Sequence, residues 1–149
     1  MTTALILAGP QDAPRALDLM ARHHEETQQP YDDAHREAVV TPILEGSPLG
    51  AIWLIGPQRA PLGYVMVTFG WSVPLGGMIG WLTEVYIRPS VRRRGIGTEV
   101  VHSVAVSLRE AGMKALHAHA AGPDDIASRF CRRVGFTGSE TVILMTDRL

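Results

Sequence analysis

Apolar positions along the chain recur with two different periods, one typical of strands and one typical of helices. The run TALILA at residues 3–8 is short and apolar, as in a buried strand. Residues 13–21 then place alanine, leucine and methionine at three- and four-residue spacing, with Pro14 in the first turn, which predicts a helix. A second helix is expected after YDD at 31–33, although Pro42 should bend it or end it early.

Three successive segments in the middle of the chain are rich in β-branched and aromatic residues. They are AIWLI at 51–55, LGYVMVTF at 62–69 and MIGWLTEVYI at 78–87. The connections between them, GPQRAP and SVPLGG, contain the proline and glycine residues that favour tight turns. These segments therefore predict three strands in an antiparallel meander.

The second half of the chain returns to helical periodicity. Apolar residues recur at helical spacing over 96–111, and Gly112 supplies a stop signal. KALHAHA at 114–120 predicts a strand, residues 123–125 open another helix, and TVILMT at 141–146 predicts a closing strand. The order β-α-α-β-β-β-α-β-α-β indicates an α/β fold with a mixed, mostly antiparallel central sheet and helices on both faces.

The length of 149 residues is about one domain's worth of chain, and we expect a single domain over 1–149. Hydrophobic residues make up 46% of the chain and charged residues 19%, without an apolar run long enough to cross a bilayer. The first twenty residues lack the basic region and apolar core of a signal peptide, and the one cysteine, Cys131, has no partner in the chain. We therefore expect a cytoplasmic, reducing setting and no membrane contact.

The net charge of −1 conceals an uneven distribution. Residues 1–87 contain four arginines and nine acidic residues, a net charge of −5, whereas residues 88–133 contain eight arginines and one lysine against four acids, a net charge of +5. Such runs are often only solvated faces, so charge alone leaves a functional role open. A nucleic-acid-binding module is the weakest interpretation, because the basic residues are concentrated at a phosphate-sized loop instead of an extended stripe.

The basic residues centre on YIRPSVRRRGIGTEVV at 86–101. This stretch lies between the end of a predicted strand near Ile87 and the start of a predicted helix near Thr98. Free backbone N–H groups and the helix dipole make a helix start attractive to phosphate or pyrophosphate, and the two glycines let the backbone approach the anion closely. A dinucleotide fingerprint would need glycine in place of Val100, and a Walker loop would need Gly-Lys-Ser/Thr, which the sequence does not contain.

The strand-RRRGIG-helix unit, followed by ASRFCRRVGF at 127–136, resembles the Gcn5-related N-acetyltransferase (GNAT) superfamily. Its Arg92, Gly95 and Gly97 match the family's Arg/Gln-x-x-Gly-x-Gly/Ala pyrophosphate loop. The resemblance implies a GNAT-like fold that transfers acetyl from acetyl-CoA, its cosubstrate, to a primary amine of a small molecule or peptide, with no metal. It also implies two sets of contacts to acetyl-CoA. They are the main chain of Val85, Tyr86 and Ile87 to the pantetheine arm, and residues Arg92, Arg93, Arg94, Gly95, Ile96, Gly97 and Thr98 to the pyrophosphate.

Glu84 is the only acidic residue between positions 46 and 98, and it lies within the predicted strand WLTEVYI. A carboxylate is costly to bury without a purpose. The acetyl transfer implied by the resemblance needs a base for the acceptor's ammonium group. Glu84 is therefore the candidate base, acting directly or through water, with a purely structural pairing to a neighbouring arginine as an equal alternative.

Two positions depart from the family pattern. Cys131 stands where the family usually has the tyrosine that protonates departing coenzyme A. A thiol with a pKa of about 8.5 donates a proton only weakly, and packing beside Phe130 is the favoured interpretation. Asp124 stands where the family often has an asparagine that contacts pantetheine.

The acceptor side of the site is less well defined by motif. HHEE at 23–26 lies where the family builds its acceptor pocket, so His24 and Glu26 are candidate substrate contacts, although structural roles are favoured for both. Trp71, beside a glycine-rich turn, is a candidate for the acceptor cleft or a homodimer interface, with a core or hairpin role as the alternative. His117 and His119 share one strand face, but two ligands without a third do not predict a metal site.

Two functional hypotheses follow from these features. The first is an N-acetyltransferase with a cationic acceptor, because the +5 segment is committed to acetyl-CoA and the −5 segment should form much of the acceptor side. The second is a non-catalytic sensor that binds acyl-CoA with the same fold, which the missing tyrosine makes credible. Amine-dependent release of free coenzyme A distinguishes the two.

Overall fold

The computed structural model describes residues 3–138 and 142–149, and in them the chain forms a five-stranded sheet with helices on both faces. The strands are β1 (Leu5–Leu7), β2 (Gly50–Ile55), β3 (Gly63–Ser72), β4 (Gly77–Ile87) and β5 (Ala115–His117), in that order across the sheet. The helices are α1 (Ala13–Glu26), α2 (Asp33–Leu44), α3 (Ile96–Glu110) and α4 (Ile126–Val134), with short 3₁₀ turns at Pro10–Asp12 and Pro89–Val91.

Neighbouring strands from β1 to β4 are antiparallel, and β5 is parallel to β4. The predicted meander is therefore confirmed as β2-β3-β4. Helix α3 provides the crossover between β4 and β5, because parallel neighbours cannot be joined by a hairpin. The mixed, mostly antiparallel sheet predicted from the sequence is likewise confirmed.

The core has two halves because strand β3 is buried on both faces. Tyr64 and Met66 point to the side covered by α1 and α2, whereas Val65 and Val67 point to the side covered by α3. Successive side chains of a strand point to opposite faces, so an uninterrupted apolar run suits a strand covered on both sides. Helices α1 and α3 turn their apolar stripes inward, as the predicted spacing requires.

A β-bulge at Thr83 changes which side chains of β4 face each half of the core. Met66 pairs with Glu84, but the next residue, Val67, pairs with Leu82, so Thr83 is the extra residue. Without this insertion Leu82 and Glu84 would share a face. With it, Leu82 packs into the α3 half of the core and Glu84 turns toward α1.

Strands β4 and β5 pair over only a short length. The register runs from Ile79–Ala115 to Trp81–His117. Beyond Trp81, residues 82–87 of β4 pair with β3 on one side and have no strand partner on the other among the described residues. The sheet therefore splits beside the bulge, and main-chain N–H and C=O groups of β4 are left along the open edge.

Several details differ from the sequence-based prediction. The strand expected at 114–120 covers only Ala115–His117. The closing strand expected at 141–146 is wrong for the described positions: residues 142–146 form no strand, and the side chains of 142–145 are 70–88% exposed. Position 141 lies outside the described residues. A strand needs a partner ladder, and β5 offers only three paired positions. Helix α3 starts at Ile96, earlier than expected, and α2 continues through Pro42.

No helix in the described parts of the chain is both long and apolar enough to span a membrane.

Candidate active site

A cavity of about 650 Å³ opens where β4 and β5 separate. Its floor is the open edge of β4, including Val85, Tyr86 and Ile87. One wall is the C-terminal end of α1, and the opposite wall is α4. The predicted pantetheine-binding residues therefore lie along a groove that exposes their main chain.

The start of α3 lies at one end of this groove. Gly95 precedes the helix with φ = 76°, a left-handed conformation that glycine adopts without strain. The first helical N–H bond runs from Glu99 to the Gly95 carbonyl oxygen at 3.0 Å. The N–H groups of residues 96–98 thus have no partner within the helix, as an anion-binding helix start requires.

Gly97 brings α3 close to α4. A Cβ atom at this position would lie 3.3 Å from Cε1 of Phe130. Glycine is needed here because an aromatic ring of α4 occupies the space. This glycine, predicted to let the backbone approach an anion closely, thus also has a packing reason in the structure.

The three consecutive arginines have different surroundings. Arg92 donates a 2.8 Å hydrogen bond from Nε to the Ile87 carbonyl oxygen and another from Nη2 to Glu26, and its guanidinium lies 5.6 Å from the centre of the Tyr86 ring. Arg93 and Arg94 are exposed, and Arg93 has a positive φ of 65°. Arg92 is thus held at the cavity, and its partner Glu26 has a pKa below the usual range because it accepts this hydrogen bond.

Glu84 lies at the centre of a hydrogen-bonded cluster. Its Oε2 is 2.7 Å from Nε2 of His24, and its Oε1 accepts a 2.9 Å hydrogen bond from the Tyr64 hydroxyl. The Tyr64 side chain is fully buried, and its pKa is raised strongly by burial and by the neighbouring carboxylate. Glu84 itself lines the cavity with a side chain that is 17% exposed.

His24 contributes to this cluster from the buried face of α1. It follows Ala16 and Met20 at four-residue spacing, and all three are buried. Its Nδ1 atom has no hydrogen-bond partner among the described residues. His24 therefore contacts Glu84 without lining the cavity. Glu26, predicted together with His24 as a substrate contact, lies in the cavity wall.

His23 is a cavity residue that the sequence analysis did not select. It is half-buried, and its ring lies 5.6 Å from that of Tyr86 and 6.1 Å from that of Tyr64. Burial lowers the pKa of His23 below its usual range. The sequence could have indicated this position, because the apolar spacing of α1 buries His24. Successive helical side chains are about 100° apart, so His23 points away from the buried face.

The two positions that depart from the family pattern lie on opposite sides of the start of α4. Cys131 lines the cavity and is half-buried, and burial raises the pKa of its thiol. Asp124 is exposed, and Asp125, at the start of α4, lines the cavity in its place. A raised pKa makes the Cys131 thiol a weaker acid than an ordinary thiol, in keeping with a packing role.

Trp71 lies outside this cavity. It pairs with Met78 at the far end of the β3-β4 hairpin, five residues along β3 from the partner of Glu84, which is roughly 17 Å at strand spacing. Its side chain is 71% exposed. The structure therefore brings Glu84, Glu26, Cys131, the β4 segment, Arg92 and Gly97 together around one cavity. The predicted site residues that do not line it are Trp71, Asp124, His24, Arg93, Arg94, Gly95, Ile96 and Thr98.

The two histidines of the β5 segment pack on an aromatic ring. His119 stacks on Trp81 with ring centres 4.5 Å apart, and His117 lies 4.9 Å from the same ring. In the described residues, no group of three or more histidine, cysteine or acidic side chains has an arrangement that could hold a metal ion.

Comparison with known proteins places this geometry in a family. The family model described as the acetyltransferase (GNAT) family matches residues 15–136. No curated protein sequence matches the chain significantly.

Solved structures share the whole fold at low sequence identity. A possible acetyltransferase from Clostridium difficile 630 is 14% identical with a TM-score of 0.87, over 100% of this chain and 99% of that one. An aminoglycoside acetyltransferase from an uncultured soil metagenomic sample, in complex with sisomicin, is 15% identical with a TM-score of 0.79, over 99% and 96% of the two chains. The aminoglycoside acetyltransferase AAC(6')-Iy, in complex with a bisubstrate analogue of CoA and acetylneamine, is 16% identical with a TM-score of 0.79, over 100% of both chains.

Proposed function

Since this chain belongs to the acetyltransferase (GNAT) family, we propose that it transfers the acetyl group of acetyl-CoA to a primary amine of a cationic acceptor. The observation that carries the proposal is the open edge of β4 beside the start of α3. One element offers main-chain hydrogen bonds to an extended arm, and the other offers N–H groups to a pyrophosphate. The solved relative bound to a CoA bisubstrate analogue supports this choice of donor.

The donor side needs little movement of the backbone. Val85, Tyr86 and Ile87 would pair with the pantetheine arm, as a further strand pairs with a sheet edge. Residues 92–98 would surround the pyrophosphate, where arginines add charge-assisted hydrogen bonds. The net charge of +5 over residues 88–133 favours a donor that carries several negative charges.

The acceptor side is acidic. Glu26 and Glu84 both line the cavity, and residues 1–87 carry a net charge of −5. A carboxylate wall attracts an ammonium group and raises its local concentration. Two structural relatives are aminoglycoside acetyltransferases, one of them bound to sisomicin, which supports polycationic amines as the first acceptor class to test.

In this proposal, protonation of the departing coenzyme A thiolate does not require a tyrosine. Cys131 lines the cavity as a half-buried thiol whose raised pKa makes it a weak acid. The departing thiolate is itself basic and can take a proton from the newly acylated nitrogen or from water. The substitution of tyrosine by cysteine is therefore compatible with turnover.

The decisive experiment measures release of free coenzyme A thiol from acetyl-CoA against a panel of amines at fixed ionic strength. The panel contains aminoglycosides, polyamines, neutral amino acid amides and glutamate. The expected result is amine-dependent release, with kcat/KM greatest for the polycations, and an acetylated product detected by mass spectrometry. Tight binding of acetyl-CoA without release by any amine would contradict the proposal and indicate a sensor.

A further inference from the structure

Two adjacent histidines at the C-terminal end of α1 have very different surroundings. His24 is 4% exposed and hydrogen-bonds to Glu84, whereas His23 is half-buried and lines the cavity. Among the described side chains none hydrogen-bonds a ring nitrogen of His23, although the Thr27 hydroxyl donates to its backbone carbonyl oxygen. His23 is thus an imidazole in the cavity wall with its ring nitrogens available.

Both carboxyl oxygens of Glu84 are already engaged. Its Oε2 lies 2.7 Å from Nε2 of His24, and its Oε1 accepts a hydrogen bond from the Tyr64 hydroxyl. An amine that used Glu84 as its base would have to displace one of these partners. The His23 ring has no such partner among the described side chains, so its nitrogens are the more accessible acceptors in the cavity.

We propose that His23 is the general base that removes a proton from the acceptor's ammonium group, while Glu84, bound to His24 and Tyr64, holds the end of α1 in place beside it. This inference rests on the N-acetyltransferase function proposed above. His23 contacts the reacting amine in this scheme, and Glu84, His24 and Tyr64 act as positioning residues.

The protonation state of His23 suits this task. Burial lowers its pKa, His24 and Arg92 lower it further, and the carboxylates of Glu84 and Glu26 act in the opposite direction. The net direction is downward, so the imidazole is neutral at neutral pH and able to accept a proton. The other titratable groups that line the cavity are Tyr86 from β4, His119 after β5, and Asp125 and Cys131 from the α4 side, and Tyr64 from β3 contacts the His23 ring.

The reaction balances with one proton passing through His23. The ammonium group gives a proton to a ring nitrogen of His23, and the freed electron pair forms a C–N bond to the acetyl carbonyl carbon. The C–S bond breaks with its electron pair on sulfur. The remaining excess proton on nitrogen passes to that sulfur. The products are an amide, free coenzyme A thiol and the proton that His23 returns to solvent.

The test compares His23→Gln, His23→Ala and Glu84→Gln with the wild-type chain. His35→Gln is the matched control, because His35 is an exposed histidine of α2 outside the cavity. For each variant, kcat/KM for one polycationic amine is measured from pH 5.5 to 9 at saturating acetyl-CoA. Acetyl-CoA affinity is measured separately by calorimetry.

We expect wild-type kcat/KM to fall as the pH drops through a value below the ordinary histidine pKa of about 6.5. His23→Gln should lose about 10²- to 10⁴-fold in kcat/KM and lose this acidic limb, with acetyl-CoA affinity unchanged. His23→Ala leaves space in the wall, so added imidazole should restore activity in proportion to its neutral form. His35→Gln should behave as the wild type.

The outcomes separate the two proposals. If wild-type chain releases coenzyme A with an amine but His23→Gln keeps both the rate and the acidic limb, His23 is not the base and the acetyltransferase function stands. If only Glu84→Gln loses the acidic limb of the pH profile, Glu84 is the general base, as the sequence predicted. Absence of amine-dependent turnover in the wild-type chain would overturn both proposals.

Discussion

His24 Nε2 and Glu84 Oε2 lie 2.7 Å apart and join the end of α1 to the bulged segment of β4. The two residues are 60 positions apart in the chain, and their side chains are 6% and 17% exposed. A hydrogen bond to a carboxylate this far from bulk water is stronger than its counterpart at the surface. This contact therefore fixes the helix that carries His23 and Glu26 against the strand that floors the cavity.

The Tyr64 hydroxyl provides the second anchor of the Glu84 carboxylate, and its removal should cost stability. Tyr64→Phe leaves Glu84 Oε1 without its donor, so we expect the free energy of unfolding to fall by about 1–3 kcal/mol. Urea denaturation at pH 7 measures this loss. Tyr31→Phe is the control, because Tyr31 is 41% exposed. Equal free energies of unfolding for the two variants would show that the Tyr64–Glu84 hydrogen bond does not stabilise the fold.

The arginines before α3 should determine acetyl-CoA affinity. Each charged hydrogen bond to pyrophosphate contributes about 1.5–3 kcal/mol, so the Arg92→Ala, Arg94→Ala double variant should bind acetyl-CoA at least about tenfold more weakly. Added salt should weaken binding to the wild type. Isothermal titration calorimetry measures both, with Arg22→Ala, an exposed position outside the cavity, as the control. Unchanged affinity in the double variant would exclude this loop as the pyrophosphate site.

Cys131 should contribute packing and little acid catalysis. Burial raises the pKa of its thiol, which makes proton donation less favourable. Cys131→Ala should therefore keep most of the wild-type kcat, whereas Cys131→Tyr should raise it if the ring fits beside Phe130. Turnover and thermal stability are measured together. A fall of 10²-fold or more in kcat, with folding and acetyl-CoA affinity intact, would establish an acid role.

Glu26 should affect the two substrates in different ways. Its carboxylate pairs with Arg92 at the cavity wall, at 2.8 Å, and in the proposed function it would also provide charge for a cationic acceptor. Glu26→Gln should raise KM for a dicationic amine about two- to fivefold, the range expected of an exposed ion pair. It should not weaken acetyl-CoA binding, because Arg92 is then free to meet phosphate. Steady-state kinetics and calorimetry test the two halves, and a preference for glutamate as acceptor would contradict the expected charge preference.

Much of the fold could be predicted because the spacing of apolar residues indicates which face of each strand or helix is buried. Strands β2, β3 and β4 and helices α1 and α3 appear where their spacing placed them, since apolar stripes must meet a core. The strand predicted at 141–146 is wrong at its described positions, 142–146. An apolar run such as VILM indicates a need for burial but does not specify which partner strand provides it.

Only the part of the site formed by a local sequence motif could be predicted. The RRRGIG loop predicted that a helix follows β4, although α3 starts at Ile96 and not near Thr98, because a glycine-rich turn after a strand favours a helix start. The cluster of His24, Glu84 and Tyr64 joins three distant elements, and no local pattern reveals such a contact. The bulge at Thr83 was also invisible, because β4 contributes side chains to both halves of the core and WLTEVYI has no clear alternation that an inserted residue would interrupt.

The open edge of β4 has a consequence for how this protein can diversify. A strand edge recognises its ligand through amide groups that every residue carries, so the side chains along it are free to change without loss of donor binding. A solved relative with only 14% identity keeps the same fold over essentially the full length of both chains. Variation can then be concentrated in α1 and the segment after it, where residues such as Glu26 would meet the proposed acceptor. New acceptor specificities can arise on such a scaffold while the donor machinery stays in place.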